Sequence, residues 1–541
     1  MRKAIVSFIF VFCTIAAAYA QIDPTVEVSR AYNVQLSEIA KPQLRPFVAD
    51  SLKRFDISFD YSIFDRPYMD LYDFVPYQMT ELEKAASVRH PFIAAKIGVQ
   101  YPLMPDASVY AQFVNNPNFN ASLYVLHNSL LDSLSAVNEG RYNSFRLKNQ
   151  VGANFRGAWT TGEINADFSY RMSNAKDGYN PGTPLTGEHG IRGLDIILNA
   201  KSAYKEDNSL FYDIDLEYSN SNANKKLGID TVNHENMLDI AASLGASFEG
   251  HRIYVNIRTK NEWLTETSDK VLGIVEITPM YEYRSDKVKA KVGVKFGNKY
   301  GRDEATDIAP DVRVRVEAVK RILWVRASVT GGNDLVTLSD VAYDLPWMVP
   351  DIQFSKVPVA GELGIESVLW SRLAINVLGA YSINKNSFRL MPDFTSSGLP
   401  YLKPYYSDYN KWTVGGDVSW KSQSLKVAGS FRYNGYKAET DSALFMLPSI
   451  ESSVNLEYNY RRRVFASVGF SYLSSMTFAS EWCKTGVIPD FIDLNCRVDY
   501  MINKHFSIFV KGGNLLNRKH YRYAGISSER INVGGGIGIN F

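Results

Sequence analysis

Alternation of apolar and charged residues is the feature of this sequence that most restricts its fold. In residues 287–296, KVKAKVGVKF, valine, alanine and phenylalanine occupy the even positions, and lysine or glycine occupies the odd ones. Residues 311–318 (DVRVRVEA) and 210–218 (LFYDIDLEY) repeat the pattern with arginine, aspartate or glutamate between the apolar residues. A period of two is that of a β-strand. A strand with one apolar and one charged face fits neither a sandwich core nor an amphipathic helix, and it predicts a strand between lipid and a wet interior.

The connections between the alternating segments are of two kinds, short and long. The short, polar ones lie around residues 116–117, 161–162, 206–207, 249–250, 285–286, 320–321, 371–372, 422–423, 461–462 and 503–504. The longer ones include residues 129–144, 175–189, 332–356, 385–408 and 476–488. Short periplasmic turns and long extracellular loops are typical of outer-membrane barrels. With a first strand near 92–102 and a last strand at 529–541, this predicts an all-β, transmembrane antiparallel β-barrel of about 22 strands, within a range of 18–22.

The N-terminus predicts export from the cytoplasm. Arg2 and Lys3 precede a short apolar core, and Ala18-Tyr19-Ala20 forms a cleavage site before Gln21. This is the pattern of a secretory signal peptide. We therefore expect a signal peptide at 1–20, a periplasmic arm or plug remnant at 21–90 and the transmembrane β-barrel at 91–541.

Charge and motifs argue against nucleic-acid binding and catalysis. The formal net charge is only +2, which gives no electrostatic basis for binding nucleic acid. The seven histidines show no metal-ligand spacing and no nucleophile elbow is present, so we expect neither an enzyme nor a cofactor. Cys483 and Cys496 could form a disulfide in an exported protein. Two free thiols are favoured, because Cys496 alternates in phase with Leu494 and Val498 and so belongs to an apolar strand face.

The C-terminal hairpin carries the most specific pattern. The last residues, 531–541 (INVGGGIGINF), alternate large apolar residues with glycine or asparagine and end on Phe541. Upstream lies an Asn-Leu-hydrophobic-Asn-basic-x-Tyr stretch, formed by Asn514, Leu515, Leu516, Asn517 and Tyr521. This hairpin, and the architecture of residues 90–541, resembles the barrel part of TonB-dependent receptors of the Bacteroidetes type. The resemblance implies a Gram-negative outer membrane, contact with its lipids, and a role in transport or uptake. Phe541 resembles the signal that the barrel-assembly machinery reads during insertion.

The N-terminal segment departs from that family. A full receptor carries a globular plug before its barrel, and residues 21–90 are too few for one. Residues Thr25, Val26, Glu27 and Val28 resemble the short segment through which such receptors contact TonB. The rest of the segment is interpreted either as an extended arm or as a chain that folds back and partly fills the lumen.

Two predicted extracellular loops are rich in aromatic residues and proline. Residues 385–411 contain Phe394, Tyr401, Tyr405 and Tyr406, and residues 332–356 contain Trp347. Exposed aromatics on a proline-fixed backbone suit recognition of sugars, peptides or a partner protein. They also suit a rigid lid packed on neighbouring loops, or a membrane-interface girdle.

The charges expected inside the barrel carry both signs. Glu276 and Glu282 precede a short turn, and Lys289, Lys291 and Lys295 follow it on the paired strand. Cross-strand pairs of opposite charge stabilise a sheet, whereas a selectivity filter concentrates one sign at a constriction. The pattern favours a structural lining of a wet lumen.

Three functions therefore remain open. The first is transport or uptake by a receptor-like barrel. The second is that of a barrel subunit or scaffold in an envelope complex, with a surface lipoprotein or another envelope protein as partner. The third is passive diffusion through a porin.

Overall fold

The structure is a computed structural model that describes residues 92–541 with gaps. The gaps are residues 117, 136–140, 180–184, 203–208, 227–229, 266–270, 303, 346–352, 395–399, 440–443, 480–485, 520 and 524–525. The expected signal peptide, the segment 21–90 with Thr25–Val28, Trp347 and Cys483 lie outside the described residues. None of the helices among the described residues is both long enough and apolar enough to span a membrane.

Twenty-two strands form one closed antiparallel sheet. They are β1 (Ile93–Tyr101), β2 (Met104–Asn115), β3 (Phe119–Ser135), β4 (Arg141–Trp159), β5 (Gly162–Tyr179), β6 (Leu185–Ser202), β7 (Ser209–Lys226), β8 (Asp230–Phe248), β9 (His251–Thr265), β10 (Leu272–Arg284), β11 (Val288–Tyr300), β12 (Ala305–Val319), β13 (Leu323–Leu335), β14 (Phe354–Leu369), β15 (Leu373–Phe394), β16 (Pro400–Lys421), β17 (Leu425–Ala438), β18 (Ile450–Tyr460), β19 (Val464–Leu473), β22 (Phe491–Met501), β23 (Phe506–Gly513) and β26 (Asn532–Asn540). The connections contain a short helix, α1 (Leu338–Ala342), and the hairpins β20 (Met476–Phe478) with β21 (Gly486–Ile488) and β24 (Tyr521–Tyr523) with β25 (Ile526–Ser527).

The last strand closes the barrel on the first. Strand β26 pairs with β1 from Ala94↔Asn540 to Tyr101↔Val533 and with β23 on its other side. Closure leaves no unpaired sheet edge. It also places Ile93 and Phe541 at the same rim, where the backbone N–H of each donates to the carbonyl of the other at 3.0 and 2.8 Å. The predicted short turns that lie within the described residues fall between strands at this rim, while residues 117 and 206–207 lie outside those residues. The predicted fold and strand number are confirmed.

At the opposite rim, the connections predicted at 332–356 and 476–488 are long, since β13 ends at Leu335 and β14 begins at Phe354, and β19 ends at Leu473 and β22 begins at Phe491. Three other connections are shorter than expected. Residues 385–411 are mostly strand, since β15 and β16 stay paired as far as Phe394↔Pro400 despite a register shift between Asn384 and Ser387. Each of these strands has 22 residues, whereas about 9–11 residues are enough to cross a bilayer. The hairpin therefore extends far beyond the lipid, held by its own hydrogen-bonded ladder.

Two other expected loops shrink in the same way. Strands β3 and β4 take up most of residues 129–144, and β5 and β6 take up most of residues 175–189. The sequence predicts long extracellular connections at these residues. Backbone pairing nevertheless continues beyond the membrane boundary, where both faces of a strand are wet.

The two faces of the wall follow the alternation in the sequence. On β11, Val292, Val294 and Phe296 are exposed on the outer surface, which is the lipid-facing side of a barrel. On the inner side, Lys295 Nζ lies 3.4 Å from Glu276 Oε2. Lys291 is the cross-strand neighbour of Glu282. The predicted pairing of opposite charges between β10 and β11 is confirmed.

Cys496 lies on β22 as a free thiol. It shares strand parity with the exposed Val498 and Tyr500, so it lies on the apolar face, as predicted.

The seam between β23, β26 and β1 depends on inward-facing glycines. Gly536 pairs with Gly98 of β1 and with Phe509 of β23. The ring of Phe509 is almost fully buried, and a Cβ added at either glycine would lie 2.6–2.8 Å from its Cζ. Arg497 packs over the face of the ring, with its Cζ 4.6 Å from the ring centroid. The space left by the glycines is therefore filled by Phe509.

Replacing Phe541 by alanine should slow assembly without preventing the barrel from forming. The Phe541 ring stacks on His505 at 5.1 Å and meets Phe506 edge-on at 5.9 Å, contacts worth about 0.5–1.5 kcal/mol each. The backbone bonds to Ile93 remain in the variant. We expect normal refolding in detergent but a lower amount of folded protein in cell envelopes, measured by heat-modifiable gel mobility. Equal amounts of both proteins in envelopes would argue against an assembly signal at Phe541.

Candidate functional site: the extracellular mouth

Strand β13 bends into the lumen at its extracellular end. The register between β13 and β14 shifts between Thr330 and Gly332. Beyond the shift, the backbone N–H of Asn333 donates to Glu276 Oε1 on β10 at 3.1 Å. Because β11 and β12 separate β10 from β13 in the sheet, this contact requires β13 to lean inward over its neighbours. Residues 333–345, here called the inward segment, continue along the inner wall.

Helix α1 is fixed to the wall by charged groups at its N-terminus. Thr337 is the N-cap and forms a capping box with Asp340. The carboxylate of Glu235 on β8, which is fully buried, accepts from the N–H groups of Leu338 at 2.6 Å and Ser339 at 2.8 Å. A carboxylate is stabilised at this end of a helix, where free N–H groups carry partial positive charge. Lys260 Nζ on β9 also lies 3.0 Å from Asp340 Oδ2, so two adjacent strands hold one turn of helix.

The rest of the inward segment reaches further around the wall. Tyr343 lies beneath Arg171 of β5, with the guanidinium 4.1 Å from the ring centroid, and its hydroxyl lies 3.4 Å from Ser221 Oγ on β7. Burial raises the pKa of Tyr343 to about 12, so the hydroxyl stays protonated at neutral pH. Asp344 Oδ1 accepts from Lys148 Nζ of β4 at 2.6 Å. The inward segment thus contacts strands from β10 round to β4.

Apolar side chains from several loops join the inward segment in one cluster. Its buried members include residues of β5, β6, β7, β9, β10 and of the upper β15–β16 hairpin, as well as residues from later loops: Ala175, Ile191, Ala223, Leu264, Leu272, Ile274, Leu335, Leu338, Val341, Tyr343, Leu345, Phe354, Leu390, Leu402, Met446, Met476 and Ile488. Large buried apolar clusters are the main source of cohesion between packed segments. The mouth is therefore occupied by the protein's own loops.

The aromatic residues predicted for recognition are packed where their side chains are described. The Tyr405 ring meets Phe445 edge-on at 5.8 Å, and the Tyr406 ring meets Phe388 at 5.8 Å. The Tyr406 hydroxyl also accepts from the backbone N–H of Gln353 at 2.9 Å. Phe394 and Tyr401 belong to β15 and β16. Recognition of a sugar, peptide or partner protein by these residues remains a prediction. Tyr405 and Tyr406 pack against neighbouring segments, as expected of a rigid lid.

The motif at Asn514, Leu515, Leu516, Asn517 and Tyr521 forms the turn at which β23 ends. Asn514 has a left-handed backbone with φ +42°, and its side-chain amide donates to the carbonyls of Arg518 at 2.8 Å and Glu529 at 3.0 Å. Its Oδ1 accepts from the N–H of Arg518 at 3.0 Å. Tyr521 begins β24. In this chain, Asn514 shapes the loop that leads back into β26.

Replacing Asn514 by alanine should loosen the loop 514–531. The change removes three hydrogen bonds. It also leaves alanine in a left-handed conformation that asparagine tolerates better. Together, the two effects should destabilise the loop by about 2–4 kcal/mol. We expect faster proteolysis within this loop, while the barrel strands stay protected. Mass spectrometry of the fragments measures where the protease cuts. Asn503→Ala, in a turn at the opposite rim, is the control. Identical loop cleavage in N514A and the unaltered protein would contradict this role.

The sequence indicates the inward segment but not the wall residues that hold it. The N-terminal signal of α1 is present in the letters Thr337-Leu-Ser-Asp340 as a local capping pattern. Glu235, Lys260 and Arg171 carry no comparable signal, because they belong to three different strands and look like other inward-facing charges. Within the described residues, no group of three or more histidine, cysteine, aspartate or glutamate side chains could hold a metal ion.

Comparison with known proteins gives similarity in structure alone. No protein-family model and no curated sequence matches the chain. Among solved structures, the FrpB iron transporter from Neisseria meningitidis (F5-1 variant) has a TM-score of 0.62 at 9% identity, covering 83% of this chain and 82% of that chain. The siderophore receptor PirA from Acinetobacter baumannii gives 0.60 at 10% identity, covering 83% and 81%. The copper transporter OprC gives 0.60 at 10% identity, covering 83% and 82%. The chain therefore has the fold of these receptors and transporters, a closed 22-stranded antiparallel transmembrane β-barrel.

Proposed function

We propose that this protein is an outer-membrane transporter of the TonB-dependent receptor type, which takes up a nutrient or a peptide through a normally closed barrel. The observation that carries the proposal is the occupied mouth, in which the inward segment is fixed to strands β4–β10. Fold similarity to an iron transporter, a siderophore receptor and a copper transporter supports the same class. The C-terminal motif at Asn514–Tyr521 supports assignment to the Bacteroidetes type.

Passive diffusion is less compatible with this mouth. A porin of this width needs an open aqueous path, whereas the residues of the mouth pack in a buried apolar cluster. Opposite charges pair along the inner wall, as for Lys295 with Glu276 and Arg432 with Asp417. A wall neutralised in this way serves as a lining rather than as a charge filter.

Single-channel recording in planar bilayers tests the proposal directly. The full mature chain, purified from outer membranes, should show little conductance at low voltage. A steady current on the nanosiemens scale would assign the protein to the porins. Deleting residues 21–90 in the same experiment tests whether the N-terminal segment also blocks the lumen.

Energy coupling needs a separate test, because an envelope scaffold would also be closed. We propose Thr25–Val28 as the TonB-contact segment. Cysteine placed at Val26 should form a disulfide with cysteines placed in the periplasmic domain of TonB. Cysteine placed at Gln423, in a periplasmic turn, is the matched control. Absence of any trapped complex, together with a stable stoichiometric envelope partner on affinity purification, would instead assign the barrel to a complex.

A further inference from the structure

Positive charge is concentrated in consecutive turns at the periplasmic rim. The five turns that join β12 to β13, β14 to β15, β16 to β17, β18 to β19 and β22 to β23, with their flanking residues, expose the following cations: Lys320, Arg321, Arg372, Lys421, Arg461, Arg462, Arg463 and Lys504. Turn residues 320–322, 370–372, 422–424, 461–463 and 502–505 contain no aspartate or glutamate. Since the whole chain carries only +2, this half of the rim, here called the basic sector, is strongly asymmetric.

The backbone of the basic sector is strained where it carries these side chains. In the turn from Tyr460 to Arg463, the N–H of Arg463 donates to the Tyr460 carbonyl at 2.9 Å. Both central residues are left-handed, Arg461 with φ +49° and Arg462 with φ +57°. A turn of this type favours Asn-Gly, and other residues there are destabilising. Arg461 offsets part of this cost, because its guanidinium lies 5.2 Å from the centroid of the Tyr460 ring. Asparagine and glycine would avoid the backbone cost altogether, so the choice of two arginines points to a role for the charge itself.

Two further turns of the basic sector contain left-handed residues, one at the cation Arg321 and the other at the two residues that precede Arg372. Arg321 has φ +58°, and Trp370 and Ser371 have φ +51° and +57°. Across the barrel, the two-residue turn of Glu249 and Gly250 has the same sign of φ but no cation. A left-handed turn is therefore common to both halves of the rim. The turn between β10 and β11 carries Lys287 beside Asp286 and so has no net charge, and the net positive charge of the described turns belongs to the basic sector.

Aromatic side chains place the basic sector at the depth of the lipid headgroups. Trp370 is 82% exposed, and Trp420, Tyr460 and Phe506 are exposed on the outer face next to the same turns. Aromatic girdles of this kind lie at the boundary between the hydrocarbon and the headgroups of a bilayer. The cations that extend just beyond them therefore meet headgroup phosphates.

We propose that the basic sector is a binding site for anionic phospholipids of the periplasmic leaflet, with Arg461 and Arg462 contacting the headgroup phosphate. Guanidinium groups suit this role because they donate two parallel hydrogen bonds to phosphate oxygens. Lipid is favoured over an acidic protein as the ligand because Trp370 and Trp420 fix the sector beside the bilayer surface. The proposal does not depend on which solute the barrel transports.

The test replaces the strained arginines by the residues that the turn prefers. Arg461→Asn with Arg462→Gly removes two cations and relieves the left-handed strain, so the variant should fold at least as well as the unaltered protein. Glu249→Asn relieves strain in the opposite half without removing a cation, and is the matched control. Each full mature chain is placed in nanodiscs of phosphatidylethanolamine with phosphatidylglycerol, and retained lipids are counted by native mass spectrometry.

We expect phosphatidylglycerol to be enriched on the unaltered protein and on E249N. The enrichment should fall by roughly five-fold for each arginine removed, and it should weaken as salt is raised. A second variant, Arg372→Gln with Lys504→Gln, tests the sector without changing a left-handed residue. Equal enrichment on all four proteins would overturn the proposal. An equal loss of phosphatidylglycerol enrichment on E249N would also overturn it. So would binding of free inorganic phosphate as strong as binding of the lipid. A third contrary result would be that the variants lose a co-purified acidic protein and keep the lipid.

Discussion

Glu235→Ala is expected to open the barrel mouth. The carboxylate of Glu235 accepts the N–H groups of Leu338 and Ser339 in a buried site. Without it, two buried donors at the start of α1 lose their partner, at a cost of about 2–5 kcal/mol to the docked state. Because 1.4 kcal/mol is a factor of ten in an equilibrium, the fraction of molecules with the inward segment released should rise at least tenfold.

The measurement is single-channel recording, combined with protease accessibility of residues 336–345. We expect frequent openings in E235A and new cleavage within the inward segment, while the unaltered protein stays closed. Glu457→Ala is the matched control, because Glu457 is an exposed inner-wall carboxylate whose Oε1 lies 3.1 Å from Lys426 Nζ. It lies near the end of β18 that leads into the periplasmic turn to β19, at the rim opposite the mouth. Exposed pairs of this kind contribute little to stability.

If E235A remained closed and protected, the inward segment would not be the element that blocks the mouth. Openings of equal frequency in E457A would show instead that any change in wall charge disturbs the barrel. Deleting the N-terminal residues 21–90 separately distinguishes a block by that segment from a block by the loop.

Gly536→Val is expected to prevent closure of the barrel. A Cβ at Gly536 would lie 2.1 Å from the carbonyl oxygen of Ile97, 2.6 Å from Gly98 Cα and 2.6 Å from Phe509 Cζ. Two of these atoms belong to the backbone of β1, which cannot move away without breaking the seam. Overpacking in a close-packed site costs about 1–3 kcal/mol, and here it falls on the pairing that joins the two ends of the chain.

Gly379→Val is the matched control, because a Cβ added at Gly379 on β15 would meet open space, with no atom within 4 Å. Heat-modifiable mobility on gels measures the fraction of closed barrel for both variants. We expect G536V to be largely unfolded or degraded in cells, and G379V to be closed. A closed G536V barrel of normal thermal stability would show that the seam can shift, and that Phe509 is not tightly packed.

The strands are predictable because their evidence is local. A period of two, with valine or phenylalanine against lysine or arginine, specifies which face meets lipid wherever the segment lies in the sheet. Turn positions are also recoverable, since polar pairs such as Glu249-Gly250 and Arg461-Arg462 interrupt that period. The predicted ends of the strands beyond the membrane are wrong at residues 385–411, because alternation weakens there while backbone pairing continues.

The arrangement of the mouth could not be read in the same way. Glu235, Lys260 and Arg171 lie on β8, β9 and β5, and each looks in sequence like an ordinary inward-facing charge. Their common partner, the inward segment, reaches them because β13 bends at Thr330–Gly332 and leans over β12 and β11. That bend is a register shift between paired strands. Its only signal in the sequence is the glycine pair in Thr330-Gly-Gly332, which is weak.

By itself, the sequence determined the class of fold, the approximate strand number and the lipid-facing residues. It also determined which rim carries the short turns. These follow from period and turn chemistry, which act between residues close together in the chain. Only the tertiary structure decided what fills the extracellular mouth and what covers the glycines of the last strand. Those contacts join residues such as Glu235 and Leu338, or Phe509 and Gly98, which are far apart in the chain and meet only after the barrel has closed.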